Sequence, residues 1–244
     1  MKILSNLDYN NIDILNDTFL NSKPVPSILI ENFFNEDIAL GLNEECKNSD
    51  DSYWKVFTRN GSHMKEYNNI EKLPKAYEVY SYLHSGPFLK WLEQLTGIGG
   101  LIPDPHLIGA GYSRSFRGDT LKIHTDFNWN NELKLYRVLS LIVYLTPEWE
   151  ESWGGGLDFY NQDRSKIIKT LPCLFNNCAI WKYEELGFHG YTTPISCPEG
   201  KSRNSIRAFY YVSDGDYKKD FTPHRSLYWF DEKTKKPFDK REEI

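Results

Sequence analysis

The run Val138-Leu139-Ser140-Leu141-Ile142-Val143-Tyr144-Leu145 is apolar at positions of both parities. A strand that alternates faces at every residue and is apolar on both must be covered on both. The run is therefore expected to be an interior strand, with helices on one side and an opposing sheet on the other. Outward from it, short apolar or alternating runs separated by Gly, Pro, Asn and Asp read as further strands, over 106–112, 120–124, 136–146, 156–160, 166–170, 174–182 and 204–212. So many short strands suit a two-sheet barrel or sandwich. Upstream, residues 25–33 read as a strand and Asn35 to Cys46 as a capped helix with Ile38, Leu40 and Leu42 apolar. Phe88, Leu89, Trp91, Leu92 and Leu95 recur at helical spacing until Gly97 stops them. This stripe is read as a helix face packed on a sheet, not as a cofactor site.

With 40% hydrophobic and 26% charged residues, the 244-residue chain can build a core, and wholesale disorder is excluded. No repeat or linker divides it. Residues 1–100 are expected to form a helical and strand support region, 101–215 the core and 216–244 a solvated C-terminal extension, all in one structural domain. Within that extension Phe221, Leu227, Tyr228, Trp229 and Phe230 could pack back. A net charge of -5 provides no basic field to draw the chain to nucleic acid or anionic lipid. No apolar stretch approaches the ~20 residues that span a bilayer. The segment Met1 to Asn16 is broken by Asn and Asp and lacks the pattern of a secretory signal, so the expected compartment is the cytoplasm. Cys46, Cys173, Cys178 and Cys197 form no C-x-x-C pair and read as reduced thiols. Oligomeric state is not legible.

The chemistry concentrates in Lys122-Ile-His-Thr-Asp-Phe-Asn128. In extended chain, residues i and i+2 share a face, so His124 and Asp126 present an imidazole and a carboxylate to one point. A third ligand must come from elsewhere, and Gly187-Phe-His-Gly-Tyr191 offers His189 beside a glycine that allows close approach. Two imidazoles and a carboxylate on one face of an ion suit Fe(II) with positions left open; zinc could use the same ligands. Downstream, Arg203 and Ser205 share a strand face and can converge on a small carboxylate, for which the planar guanidinium is suited. Arg207 has the same parity, so a second guanidinium projects nearby and needs a carboxylate partner. That partner is either a charged group of the substrate or co-substrate, or a protein residue such as Asp158.

The ordered set His124-x-Asp126, His189 and Arg203-x-Ser205 resembles the iron(II)/2-oxoglutarate-dependent dioxygenases, in particular the prolyl 4-hydroxylase-like group. The resemblance runs from Leu101 to Val212, through Leu-Ile-Pro-Asp-Pro, His-Thr-Asp-Phe-Asn, the buried run above, Trp-Gly-Gly-Gly-Leu-Asp-Phe-Tyr and Phe-His-Gly-Tyr-Thr-Thr-Pro. It implies a double-stranded β-helix, a cupin-like jelly roll supported by N-terminal helices. His124, Asp126 and His189 would then be catalytic iron ligands, and Arg203 would pair with the distal carboxylate of 2-oxoglutarate. Ser205 would assist Arg203 or simply fill the strand. Tyr144 sits where relatives place a hydroxyl on the same carboxylate, and Tyr112 is a further residue for that pocket. The implied activity is hydroxylation of a C–H bond, with a prolyl residue of a peptide or protein as leading substrate, succinate and CO2 as co-products, and Fe(II), 2-oxoglutarate, O2 and ascorbate as cofactors. Two alternatives stand beside it: hydroxylation of a small metabolite, free amino acid or sugar, and a non-catalytic cupin-like metal-binding or interaction protein. The loops Phe127 to Leu135, with Trp129 as a substrate contact, and Thr146 to Trp153 are expected at the mouth.

Overall fold

A computed structural model describes residues 3–4, 11–59, 62–213 and 223–229. The N-terminal part runs through α1 (Ile12–Asn21), β1 (Ser27–Ile30), α2 (Glu36–Asn48), the hairpin β2 (Lys55–Arg59) and β3 (Ser62–Tyr67), then α3 (Pro74–Leu83) and α4 (Gly86–Thr96). There follow β4 (Ile102–Pro103), β5 (Gly111–Phe116), β6 (Leu121–Thr125), β7 (Trp129–Asn130) and β8 (Leu135–Tyr144). The chain then forms β9 (Leu157–Tyr160), β10 (Ile167–Leu171), β11 (Cys178–Lys182), β12 (His189–Tyr191), β13 (Ser202–Val212) and, near its end, β14 (Leu227–Tyr228).

The strands form two sheets, a nine-stranded one ordered β1-β11-β8-β13-β5-β3-β2 with β4 and β7 attached, and a five-stranded one ordered β10-β9-β12-β6-β14. Two sheets in this strand order make a double-stranded β-helix. Strands β8 and β13 lie at the centre of the larger sheet. On its outer face Leu139, Leu141, Val143, Ile206, Ala208 and Tyr210 pack with Leu42, Ala76, Val79, Leu83, Phe88, Trp91 and Leu92 of the helices. On its inner face Ile142 and Tyr144 join Leu157, Phe159, Trp181 and Tyr191 in a smaller core between the sheets. Burying an aliphatic or aromatic side chain is worth about 1.5–3 kcal/mol, so the helix layer anchors the sheet that carries the site.

The local signals explain the element ends. Asn35 caps α2, its side chain accepting from the Asp37 amide at 3.2 Å, and Gly97 at φ 70° ends α4. Two strands differ from the sequence reading. Residues 106–110 are not extended, because the Asp104 carboxylate accepts from the amides of His106 and Ile108 and Leu107 takes φ 52°; the strand begins at Gly111. The strand expected from residue 174 begins at Cys178, since Asn176 adopts φ 60° and its amide bonds Phe34 O. The C-terminal extension is not uniformly solvated: Leu227 and Tyr228 are buried and pair with β6. Phe221 and Phe230 lie outside the described residues. All four cysteines are free and buried, and among the described residues no helix is long and apolar enough to cross a membrane.

Candidate active site

Strand β12 runs antiparallel to β6 with His189 opposite His124, and Asp126 follows the end of β6. One nitrogen or oxygen from each of His124, Asp126 and His189 lies within 4.8 Å of the others. His124 Nδ1 is 2.8 Å from Lys122 O and His189 Nδ1 is 2.8 Å from Gly187 O. A carbonyl oxygen only accepts, so each Nδ1 carries the proton and each Nε2 turns its lone pair to the cluster, the tautomer a metal ligand needs. Strand β12 approaches β6 closely enough that a Cβ on Gly190 would stand 2.6 Å from Leu121 O, which is why glycine follows His189. Burial holds His124 down to about 3, reinforced by the nearby His189 and opposed by Asp126. Burial also disfavours the Asp126 carboxylate, but Arg137, His189 and His124 together outweigh it and hold the group well below the usual range.

Arg137 is the residue the sequence reading missed. Its Nη2 donates to Asp126 Oδ2 at 2.9 Å and to Ser140 Oγ at 2.6 Å, and its guanidinium lies 3.5 Å from the Phe209 ring centroid and 4.5 Å from that of Phe127. Simple alternation would place Arg137 with Leu139 and Leu141 on the helix side. The register between β8 and β13 shifts there, Tyr210 facing Leu139 while Tyr211 faces Arg137, so Val138 is an extra residue in β8. Such a bulge re-aims the side chains beyond it and brings Arg137 onto the same face as Ser140.

Arg203 is buried, and its guanidinium stands 4.7 Å from the Tyr191 ring centroid and 5.1 Å from that of Tyr144. Its Nε meets no acceptor, and no carboxylate of the described residues pairs with it. Gly155, at φ 80°, makes room: a Cβ there would be 2.8 Å from Arg203 Cδ. The Tyr144 hydroxyl is buried without a hydrogen bond of good geometry, and burial pushes its ionisation up. Arg203 and Tyr144 line one cavity with His124, Asp126 and His189. Ser205 Oγ lies 3.2 Å from Ser113 Oγ on the same inner face. Tyr112 does not reach this pocket. Because β5 begins at Gly111, Ser113 faces inward and Tyr112 outward, its hydroxyl bonding Leu42 O at 3.1 Å and Glu45 Oε1 at 3.0 Å on α2.

Arg207 also lines that cavity, and its partner is Glu66 of β3 at 2.6 Å rather than Asp158, whose carboxylate accepts from Thr170 Oγ1 at 2.6 Å. Beyond the cluster a cleft of about 430 Å³ opens, walled by Phe57, Met64, Phe127, Trp129, Phe209 and Tyr228, with Glu66 and Arg207 on its rim. Trp129 stands edge-on to Tyr136, 4.8 Å between ring centroids, with its Nε1 on Asn131 Oδ1. The segment 127–132 thus borders the cleft. Residues 146–153 do not: Glu151, Ser152 and Trp153 edge a separate cavity with Asp158 and Thr170.

The donor set, two imidazole nitrogens and an ionised carboxylate beside an open cleft, fits Fe(II). A buried guanidinium with no acid to neutralise it fits a small anion bound alongside.

Comparison with known proteins agrees with this geometry. Residues 110–211 match the 2OG-Fe(II) oxygenase superfamily. A prolyl 3-hydroxylase, OGFOD1 of Xenopus laevis, is 27% identical over 201 residues, which is 79% of this chain and 36% of that protein. The chain thus spans about a third of the length of this curated relative. Among solved structures, a prolyl hydroxylase from Trichoplax adhaerens, in complex with a peptide fragment of the hypoxia inducible factor oxygen degradation domain, superimposes with TM-score 0.60 at 14% identity, covering 87% of this chain and 94% of that one. A prolyl-4-hydroxylase from Pseudomonas putida gives 0.57 at 13% identity over 83% and 99%. At such identities the structural likeness shows the fold alone, whereas the family match spans the strands that carry the cluster and Arg203. The segment that carries the cluster and Arg203, residues 110–211, is thus similar to the 2OG-Fe(II) oxygenase superfamily, and the fold around it is that of the prolyl hydroxylases.

Proposed function

We propose that the chain is an Fe(II)- and 2-oxoglutarate-dependent dioxygenase that hydroxylates a prolyl residue in a peptide or protein, with succinate and CO2 as co-products. The observation that carries this reading is the His124, Asp126 and His189 cluster sharing a cavity with Arg203, a buried guanidinium that no carboxylate of the described residues pairs. The curated prolyl 3-hydroxylase relative and the prolyl hydroxylase folds support the substrate class. His124, Asp126 and His189 would hold the iron, which when bound supplies the activation of dioxygen and the oxidation of the C–H bond. Arg203 would take the distal carboxylate of 2-oxoglutarate through its terminal nitrogens. Tyr144 would donate its hydroxyl to the same carboxylate, and Ser205 would fill the strand face beneath it. Arg137 keeps Asp126 ionised and oriented. Phe127, Phe209 and Tyr228 exclude water from the reacting atoms, while Trp129 and the Arg207–Glu66 pair on the rim would meet the substrate chain. Residues 101–215 are taken as the catalytic core, 1–100 as its support and 216–244 as an extension, in one structural domain. Reaction in the cytoplasm, with ascorbate as reductant, is consistent with four free thiols.

The test is anaerobic addition of Fe(II) and 2-oxoglutarate, followed by air, ascorbate and a panel of proline peptides alongside free amino acids and sugars. A visible charge-transfer band, then succinate release stimulated by a peptide and a mass gain of one oxygen mapped to its proline, is expected. His124→Ala should abolish all of it. Stimulation by a small metabolite alone would overturn the prolyl assignment, and neither band nor succinate under any condition would overturn the enzyme reading.

A further inference from the structure

Residues 223–229 return across β6 after β13 has ended and close the edge of the five-stranded sheet. The strap is fastened at many points. The Trp229 amide donates to Ile123 O at 2.8 Å and the Phe127 amide to Ser226 Oγ at 3.2 Å. His224 exchanges bonds with Asn128, its amide donating to Asn128 Oδ1 at 2.8 Å while its carbonyl accepts from the Asn128 amide at 3.3 Å. The His224 ring is fully buried, with Nε2 2.9 Å from the Tyr183 hydroxyl and Nδ1 2.7 Å from Arg225 O. The product of this fastening is the placement of Tyr228, whose ring lies nearly parallel to the His124 imidazole, 4.8 Å between centroids and 15° between planes. The His189 ring covers His124 from another side at 4.4 Å.

We propose that this strap is part of the active site and that Tyr228 is a positioning residue that fixes the His124 ring. The inference rests on the reading of His124 as an iron ligand. A single hydrogen bond, from Nδ1 to Lys122 O, leaves an imidazole free to rock about that bond. The stacked Tyr228 ring and the tilted His189 ring beside it remove that freedom, so Nε2 is held toward Asp126 and His189 before the metal arrives. Groups that orient a ligand without touching the metal are worth about 10–100-fold in metal affinity. Tyr228 also forms part of the cleft wall, so one side chain serves both ligand and substrate space. Because binding couplings are reciprocal, the metal must in turn steady the strap.

The experiment is titration of the full chain with Mn(II), following free Mn(II) by electron paramagnetic resonance. Tyr228→Leu is expected to bind about 10–100-fold more weakly, and Tyr228→Phe, which keeps the ring, to bind as the unaltered chain does. Equal affinity of Tyr228→Leu and the unaltered chain would overturn the inference while leaving the iron reading intact. Absence of Mn(II) binding by the unaltered chain would instead overturn the iron reading on which it rests. Should Tyr228→Leu fail to fold, hydrogen exchange on the unaltered chain decides: the amides of Phe127, Asn128 and Trp229 are expected to exchange more slowly once Mn(II) is added, and unchanged rates would overturn the inference.

Discussion

The two faces of β8 and β13 are equally buried and differ in how that burial is satisfied. Outward, Leu141, Val143, Ile206 and Ala208 meet helices in an apolar cluster, and the polar contacts, such as Asn204 to Asn43 and the Tyr210 hydroxyl to Leu83 O, are between neutral groups. Inward, Arg137, Tyr144, Arg203 and Arg207 bring three guanidinium groups and a phenol into the same two strands. Of these, Arg137 and Arg207 are matched by Asp126 and Glu66, and Arg203 is matched by no acid among the described residues. The difference separates what holds the protein together from what it holds ready for a ligand, within one pair of strands.

The strongest way to break the contrast is to remove Arg203. Arg203→Leu should weaken 2-oxoglutarate binding by more than two decades, since losing one partner of a buried ion pair costs about 3–5 kcal/mol. The unfolding free energy of the ligand-free protein should stay the same or rise, because no protein acid is left unmatched. Calorimetric titration and urea unfolding on the same variant check both halves; a large stability loss would mean Arg203 is structural. Arg137→Leu should do the reverse. It strands the Asp126 carboxylate, so the chelator-treated protein should lose about 3–5 kcal/mol of stability, read by urea unfolding. Leu141→Ala on the outer face should cost about 2–5 kcal/mol through its cavity and leave Mn(II) affinity unchanged, which a metal titration of the folded variant would show.

Acid sharpens the contrast least. Burial holds His124 at about 3 and His84, on the helix side, at about 4, whereas an unfolded histidine takes up its proton near ~6.5. Between those limits the unfolded chain binds protons that the folded one refuses, so metal-free stability should fall as pH drops from about 6.5 toward the folded values. The expected slope is up to ~1.4 kcal/mol per pH unit for each group. His84→Gln should remove part of the slope in pH-dependent unfolding, and an unaltered slope would locate the effect elsewhere.

Much of this arrangement was legible because period and spacing report it directly. The doubly apolar run at 138–145, the His-x-Asp pair and the alternate positions 203, 205 and 207 follow from alternation alone. What was not legible depends on departures from alternation. Arg137 changes face through the bulge at Val138, and Tyr112 was misassigned because the strand starts at Gly111 after a turn fixed by Asp104. The hairpin β2–β3 is too polar to read as strands, yet it supplies Glu66 to Arg207. Tyr228 sits on a two-residue strand inside a charged tail, where no periodicity can accumulate. Helices α1 and α3 were missed as well, the second despite buried Ala76, Val79, Tyr80 and Leu83 at helical spacing.

The extra residue at Val138 constrains how this strand can change over generations. Substitutions along β8 are judged one position at a time, but a single-codon deletion between Leu139 and Tyr144 would reverse the orientation of everything before it, turning Arg137 toward the greasy layer beneath the helices. Loss of Val138 itself would be gentler, because Arg137 would then adjoin Leu139 and by plain alternation still face inward.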